Sequence, residues 1–274
     1  MLPTTIFAAS VAYAPSLSVV IPAFNERNRL PPTLEASVAY LRDADRDWEL
    51  IVVDDGSTDD TVGWTRGWMA RQTTAERLRV LRSETNCGKG DAPAAGVRCA
   101  KGQRVLFMDA DGGTPLSALP LLEQVLDSDS TCSIVVGKRQ REETPRPVLR
   151  QIMGIVFAAL TATCVTGVAD TQCGFKLLTR EAAASTMPHL RVRRWAYDVE
   201  ALFLAQQLGL GVASADVPAV DVSGSKIRWH TPIEMLLDVL RVSLLYRVGV
   251  WALPRRAGGA GGREAAGASF VELE

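Results

Sequence analysis

Five apolar runs, each ending in a polar or acidic turn, constrain the fold of this chain more than any other feature. The runs begin near residues 17, 48, 77, 104 and 133. Segments with helical spacing follow the first three, at about 31–43, after the acidic turn 54–61, and at 88–100. A continuous apolar run indicates a strand that is buried on both faces. Strands alternating with helices predict an α/β domain with a mostly parallel sheet and with ligands at the carboxyl ends of its strands.

The acidic turn after the fourth run, in RVLFMDADGGTPL at 104–116, is open to three interpretations. Asp109 and Asp111 are one residue apart, so they lie on the same side of an extended chain. They suit a haloacid-dehalogenase type of phosphatase, in which the first Asp is a nucleophile and the second an acid/base. They also suit a divalent-metal site that faces a diphosphate, or a plain solvated turn.

Two enzyme classes are disfavoured by the order of the motifs. The phosphatase carries its motif after the first strand, with Thr directly after one Gly, whereas here Gly113 intervenes before Thr114 and the motif follows the fourth strand. The later acidic pair that completes its magnesium site has no good candidate either, because Asp54–Asp55 and Asp59–Asp60 lie upstream. A dinucleotide-dependent oxidoreductase needs a GxGxxG turn after its first strand, which here ends in PAFNE.

A nucleotide-sugar transferase gives these residues a chemical task. The diphosphate leaving group carries charge that Mg²⁺ or Mn²⁺ neutralises, and such ions prefer oxygen ligands. Asp109, Asp111 or both can supply those oxygens. Asp54 or Asp55, after the second strand, can accept a hydrogen bond from a nucleobase or a ribose. Lys89, in a loop flanked by glycines, can reach a phosphate.

Net charge and cysteine spacing exclude other classes. The net charge of −1 gives no global field that favours nucleic acid. The five cysteines form no CxxC pair and are odd in number, so a zinc site or a disulfide framework is disfavoured and a reducing compartment is expected.

Four segments outside the alternating pattern bear on domain organisation. Residues 1–16 are a short apolar arm, interpreted as the remnant of an anchor or as disordered, and 17–231 form the predicted α/β domain. Residues 152–169 carry no charge and are a borderline membrane span, or a helix that lies on a membrane or in the core. Residues 232–253 have one narrow polar stripe and predict an amphipathic helix, at a membrane interface or packed on the sheet. The Gly/Ala-rich tail 254–274 is predicted to be disordered.

Several motifs, in order from about residue 17 to 251, resemble those of inverting family-2 glycosyltransferases of the GT-A fold. LSVVIPAFNE, ELIVVDDGSTDDT and VLFMDADGGT are typical of the superfamily. NCGKGDA and GSK match as well, and DTQCGFKLLTREAA with RWAYDVEALFLAQ narrows the resemblance to the polyprenyl-phosphate sugar transferases.

The resemblance implies roles for residues at the strand ends. The uridine would be framed by Pro22, Phe24, Glu26 and either Asp54 or Asp55, with Lys89 beside it. Asp109 and Asp111 would hold Mg²⁺ or Mn²⁺, and Arg139 would face a phosphate of the donor or the acceptor.

Further positions follow from the second half of the family pattern. Asp170, Gln172 and Lys176 would lie near the sugar and the acceptor, and Trp195, Asp198 and Glu200 would lie on the acceptor side. Ser225 and Lys226 would close over the phosphates from a mobile loop. Asp198 as a general base is a weaker hypothesis than the metal ligands, because a lipid phosphate is already anionic.

The reaction that the resemblance implies is transfer of glucose from UDP-glucose to dolichyl phosphate, with inversion, for protein N-glycosylation. The expected location is the endoplasmic reticulum membrane, with the catalytic domain on its cytosolic face. Asp91 and Pro93 depart from the small residues that usually follow GKG. Two alternatives stay open: a mannosyltransferase that uses GDP-mannose, and a non-catalytic nucleotide-sugar-binding protein.

Overall fold

The computed structural model describes residues 15–44, 46–140, 148–220, 222, 231–256 and 269–273. Its strands are β1 (Leu17–Ala23), β2 (Trp48–Asp54), β3 (Leu78–Ser83), β4 (Arg104–Phe107), β5 (Cys132–Gln140), β6 (Lys176–Thr179), β7 (Gly211–Pro218) and β8 (Phe270–Leu273). They form one sheet in the order β7-β5-β6-β4-β1-β2-β3-β8.

Helices cover the two faces of this sheet. They are α1 (Leu30–Asp43), α2 (Thr61–Met69), α3 (Asp91–Cys99), α4 (Leu119–Ser128), α5 (Val148–Thr161), α6 (Arg180–Thr186), α7 (Tyr197–Gln207) and α8 (Thr231–Arg247). Prolines in the first turn of α1 and of α4 suit positions whose N–H has no partner within the helix.

The strands β4, β1, β2 and β3 run parallel, as the alternation of strands and helices predicts. All seven residues of β2 are buried, because helices lie on both of its faces. The helix α3 approaches the sheet closely at Gly96, where a Cβ would lie 2.4 Å from Cγ1 of Val20. The absence of a side chain at Gly96 thus lets α3, which follows the loop that carries Lys89, pack directly on β1 and β2.

The other side of the sheet has a mixed topology that the sequence did not indicate. The strand β6 is antiparallel to both β4 and β5, and β7 is parallel to β5. The strand β6 is only four residues long, and β7, with the sequence GVASADVP, has no apolar run. The five predicted strands are nevertheless all present, as β1–β5.

The two apolar segments of the second half form the helices α5 and α8, which pack on each other. The helix α5 ends at Thr161, so the apolar segment 152–169 is helical over only part of its length, and α8 contacts α5 and α7. In the described part of the chain, each helix is too short or too polar to cross a bilayer.

The end of the chain differs from the predicted disordered tail. Residues 270–273 form β8, which pairs antiparallel with β3 at the edge of the sheet. Arg79 donates to both carboxylate oxygens of Glu272, at 2.6 and 2.9 Å, and to Glu49 at 3.1 Å. The prediction for 254–274 was therefore wrong for these residues, because composition does not reveal a long-range pairing of strands. The arm 1–14 lies outside the described residues.

Candidate active site

The loops after β1 and β2 are tied together at the carboxyl edge of the sheet. Asn25 has a φ of 52°, a left-handed conformation that Asn tolerates well. Its side-chain oxygen accepts from the Thr58 N–H at 2.8 Å, and its own N–H donates to Ser57 Oγ at 2.8 Å. Pro22 and Phe24 are half-buried beside this junction. The two loops therefore form one surface, as the predicted uridine site requires.

Asp54 and Asp55, which the sequence left as alternatives, have different partners. Asp55 accepts from the Cys87 N–H at 2.7 Å with one oxygen and from the Gly88 N–H at 3.0 Å with the other. Burial raises the pKa of Asp55 to about 6. Both of its oxygens are thus occupied by the loop that leads to Lys89.

Asp54 is fully buried, and one of its oxygens accepts from the Ser57 N–H at 3.1 Å. The other oxygen is buried without a hydrogen-bond partner among the residues that the structure describes. Burial raises the pKa of this carboxyl group above its ordinary value. Asp54, rather than Asp55, therefore has an acceptor left over, which a ligand can reach only if the covering loops move.

Asp109 lies at the centre of the site. It accepts from Lys89 Nζ at 2.9 Å, and a Cβ on Gly174 would lie only 2.0 Å from its other oxygen. Burial acts to raise the pKa of Asp109, but the positive charges of Lys89, Lys176 and Arg139 outweigh it and hold the pKa below its usual value. Asp109 is therefore a carboxylate at neutral pH. Position 174 needs a glycine because any side chain there would collide with this carboxylate.

Asp111 is oriented by the turn that follows β4. It accepts from the Gly113 N–H at 3.0 Å, and its second oxygen lies 3.6 Å from Arg29 Nη1. Gly112 has a φ of 71°, and the hydroxyl of Thr33 donates to the Ala110 carbonyl at 3.0 Å. The DADGG turn is thereby fastened to α1.

Arg29 joins this turn to the loop after β1, and sequence reasoning missed it. Its guanidinium donates to both oxygens of Glu26, at 2.7 and 2.6 Å, and is close to Asp111. The sequence does contain a signal for this pair: Glu26 and Arg29, in NERNR, are three residues apart, a spacing that lets the two side chains pair within one helical turn.

Lys176 and Asp198 form a buried ion pair on the far side of Asp109. Lys176 Nζ lies 2.6 Å from Asp198 Oδ1, also donates to the Cys173 carbonyl, and only 2% of the residue is exposed. Burial raises the pKa of Asp198, while Lys176 and Lys89 oppose that rise. Both residues are therefore in the site, but Asp198 is paired and its role as a base stays a prediction.

Arg139 and Asp170 form a second ion pair, near the carboxyl end of β5. Two parallel hydrogen bonds of 2.7 and 2.8 Å join them. Burial acts to raise the pKa of Asp170, and the hydrogen bonds and charge of Arg139 hold it below the usual value instead. Gln172 is half-buried in the loop between Asp170 and Gly174.

Trp195 lies beside Lys89, and Glu200 is enclosed. The Lys89 ammonium is 5.8 Å from the centroid of the Trp195 ring. Glu200 is fully buried and bonded to Tyr246 at 2.7 Å, so it does not face the acceptor side as the resemblance implied. Ser225 and Lys226 lie outside the described residues.

The pair Asp109 and Asp111 fits a hard divalent cation. Two carboxylates and no nitrogen or sulfur donor suit Mg²⁺ or Mn²⁺. Among the described residues, no group of three or more acidic, histidine or cysteine side chains could hold a metal ion. The remaining ligands would have to be water and diphosphate oxygens, as is usual where Mg²⁺ meets a nucleotide.

Comparisons with known proteins agree with this geometry. The model of the family described as Glycosyl transferase family 2 matches residues 18–186. The dolichyl-phosphate beta-glucosyltransferase of Dictyostelium discoideum is 35% identical over 251 residues, which are 86% of this chain and 76% of that protein. The proteins of the same name from Mus musculus and Homo sapiens are 37% and 36% identical over 252 residues, 86% of this chain and 78% of each.

Solved structures share the fold at lower identity. Glucosyl-3-phosphoglycerate synthase from Mycobacterium tuberculosis, in complex with Mn²⁺ and UDP-glucose, matches with a TM-score of 0.62 and 23% identity, over 86% of this chain and 79% of that one. Mannosyl-3-phosphoglycerate synthase from Rubrobacter xylanophilus matches with a TM-score of 0.66 and 20% identity, over 94% and 88% of the two chains.

Proposed function

The chain belongs to glycosyl transferase family 2, and from this premise we propose that it transfers glucose from UDP-glucose to dolichyl phosphate with inversion. The observation that carries the proposal is the cluster at the carboxyl end of β4, where Asp109 contacts Lys89 and is near Lys176, and Asp111 is near Arg29. A site that brings two phosphate-bearing substrates together needs such cations. Relatives that carry this activity in their names cover most of the chain.

The donor side is the half of the site around β1, β2 and β4. Asp54, with its unpaired oxygen, accepts from the uracil N–H, and Lys89 moves from Asp109 to the diphosphate. Asp109 and Asp111 would hold Mg²⁺ or Mn²⁺, which would supply positive charge to offset the charge that develops on the leaving UDP. Arg29 keeps Asp111 and Glu26 in place while Lys89 changes partner.

The acceptor side is the half around β5, β6 and α7. Arg139 and Lys176 attract the phosphate of the lipid and orient it. A phosphate oxygen attacks the anomeric carbon from the face opposite UDP, and the bond to the diphosphate oxygen breaks, with UDP keeping the electron pair. Because the lipid phosphate is anionic at neutral pH, positioning and charge stabilisation suffice. Asp198 then acts through Lys176, by holding its ammonium group.

The membrane side of the proposal rests on α8. Ile233, Leu237, Leu240 and Leu244, which we call the α8 stripe, are between 45% and 59% exposed and follow one face of the helix. The opposite face is buried, with Val239 and Val242 fully covered. An exposed apolar stripe of this length suits the surface of a bilayer.

Arginines border the stripe, which favours a bilayer that contains anionic lipids. Arg241 and Arg247 lie on the exposed part of α8, and Arg255 and Arg256 follow it. Their guanidinium groups can reach lipid headgroups. All five cysteines are unpaired, as expected on the cytosolic face of the endoplasmic reticulum membrane, where we place the domain for N-glycosylation.

A transfer assay tests the proposed function. The protein is incubated with labelled UDP-glucose, dolichyl phosphate and Mn²⁺, and the lipid is extracted; we expect a labelled lipid that disappears when Mn²⁺ is chelated. GDP-mannose in place of UDP-glucose is the control for the donor. Labelled lipid from GDP-mannose alone would assign the mannosyl reaction. Tight binding of UDP with no labelled lipid from either donor would leave a non-catalytic binding protein.

A further inference from the structure

Glu200 is a buried carboxyl group that touches neither substrate side of the site. One of its oxygens accepts from the N–H groups of Arg191 and Val192, at 2.9 and 2.7 Å, and the other accepts from the hydroxyl of Tyr246 at 2.7 Å. Its relative exposure is 0%. Glu200 therefore joins the segment 191–193 to α8.

The segment 191–193 in turn forms one wall of the loop that carries Lys89. The Gly90 N–H donates to the Arg193 carbonyl at 2.8 Å. A Cβ on Gly88 would lie 2.3 Å from that carbonyl oxygen, and one on Gly90 would lie 2.8 Å from the Val192 carbonyl oxygen. Contacts this close leave the loop no room to shift unless the segment shifts with it.

The helix α8 holds the other end of this connection. The Tyr246 ring packs against Phe203 and Trp251, each with a centroid distance of 5.2 Å. The guanidinium group of Arg191 lies 5.8 Å from the centroid of the Trp251 ring. Tyr246 is on the face of α8 that lies against the protein, opposite the α8 stripe.

We propose that Glu200 and Tyr246 are positioning residues, which set the Lys89 loop for the donor diphosphate from the position of α8. The role of Lys89 in this inference rests on the proposed function. The connection runs from Tyr246 through Glu200 and the N–H groups of 191–192 to the Arg193 carbonyl and Gly90. A change in the position of α8 would therefore change the position of Lys89, which contacts Asp109.

The first test needs no substrate. Hydrogen exchange of the amides of 88–90 is measured in Tyr246→Phe and in Ser18→Ala. The control also loses one fully buried hydroxyl, which donates to Glu49 at 2.6 Å at the opposite end of the sheet. We expect exchange in 88–90 to be about three- to tenfold faster in Tyr246→Phe, as the loss of one buried hydrogen bond implies, and unchanged in the control. Equal exchange in the two variants would overturn the inference.

Two variants of Glu200 separate positioning from folding. In Glu200→Gln, the amide oxygen can accept from both backbone N–H groups while the NH₂ group donates to Tyr246, so exchange in 88–90 should stay near the wild-type rate. Glu200→Leu cannot make these bonds and should show the faster exchange. Faster exchange in both variants, or in neither, would contradict the proposed connection.

The affinity for UDP with Mn²⁺ tests whether the connection acts through Lys89. Calorimetry should give about three- to tenfold weaker binding for Tyr246→Phe in the wild-type background, and no further loss in the Lys89→Ala background. An equal loss in both backgrounds would show that Tyr246 does not act through Lys89. A wild-type protein that binds UDP but transfers no glucose would refute the proposed function and leave this result intact.

Discussion

The two halves of the sheet hold their carboxylates in different ways. Around β1–β4, which we call the donor half, Asp54, Asp55 and Asp111 accept from backbone N–H groups of the loops at the strand ends, and Asp109, paired with Lys89, is the exception. Around β5–β7, the acceptor half, Asp170 and Asp198 are paired with the side-chain cations of Arg139 and Lys176. A backbone donor is supplied by the fold whatever the residue, whereas an ion pair needs two particular side chains. Substitutions should therefore damage the two halves differently.

The largest expected effect is a loss of activity without a loss of stability, in the donor half. Asp111→Asn removes a charge but keeps an oxygen that can accept from the Gly113 N–H. We expect the rate of metal-dependent transfer to fall by about 10³-fold, with the melting temperature unchanged. Asp127→Asn, at an exposed aspartate paired with Arg104, is the matched control. Full activity of Asp111→Asn would remove the metal role of this residue.

A comparable change in the acceptor half should cost stability as well. Lys176→Met leaves Asp198 buried without its cation, which we expect to lower the free energy of unfolding by about 3–4 kcal/mol in a urea titration. The control Lys138→Met removes an exposed pair with Asp216 and should change it by less than about 1 kcal/mol. The double variant Lys176→Met/Asp198→Leu should regain stability but not transfer. If the stability of Lys176→Met were unchanged, the claim that the two halves hold their carboxylates differently would be wrong.

The α8 stripe offers a third test of the difference between the halves. A change in the stripe should weaken access to the lipid acceptor and leave donor binding unaffected. Leu244→Glu places a charge on the stripe, and we expect partitioning onto vesicles that contain anionic lipids to weaken by about tenfold. Flotation measures this, with Leu121→Glu, at an exposed leucine of α4, as the control. Affinity for UDP should be the same in both variants. Equal flotation of the two variants would point to another membrane contact.

An effect of similar size to that of the α8 stripe is a pH dependence within the donor half. The pKa of Asp55 is raised by burial to about 6, so between about pH 4 and pH 6 the folded chain keeps a proton that the unfolded chain has released. Stability from this group is therefore present at low pH and is lost as the pH rises through that window. Relative to Asp55→Asn, the wild type should lose about 1–2 kcal/mol of unfolding free energy between pH 4.5 and pH 7.5. A constant difference in urea titrations would show that Asp55 titrates normally.

The sequence predicted the donor half well because its signals are local. Each of the runs that became β1–β4 is continuous, and a polar or acidic turn follows it directly. In the acceptor half only β5 comes from such a run, since β6 has four residues and β7 is rich in small ones. That Lys176 pairs with Asp198 depends on how distant segments meet, which spacing does not reveal. The family resemblance alone placed Glu200 on the acceptor side, and in the structure this residue is fully buried and hydrogen-bonded to Tyr246.

The pairing of β8 with β3 has a consequence for biosynthesis. An unpaired strand edge is a template for foreign strands, and here residues 270–273 pair with β3 and replace it at the edge with a strand of only four residues. These residues follow every other strand in the chain, so during translation β3 waits for its partner until the rest of the sheet has left the ribosome. Over that interval β3 is exposed in the nascent domain, and it can then bind a chaperone or pair with another chain and aggregate.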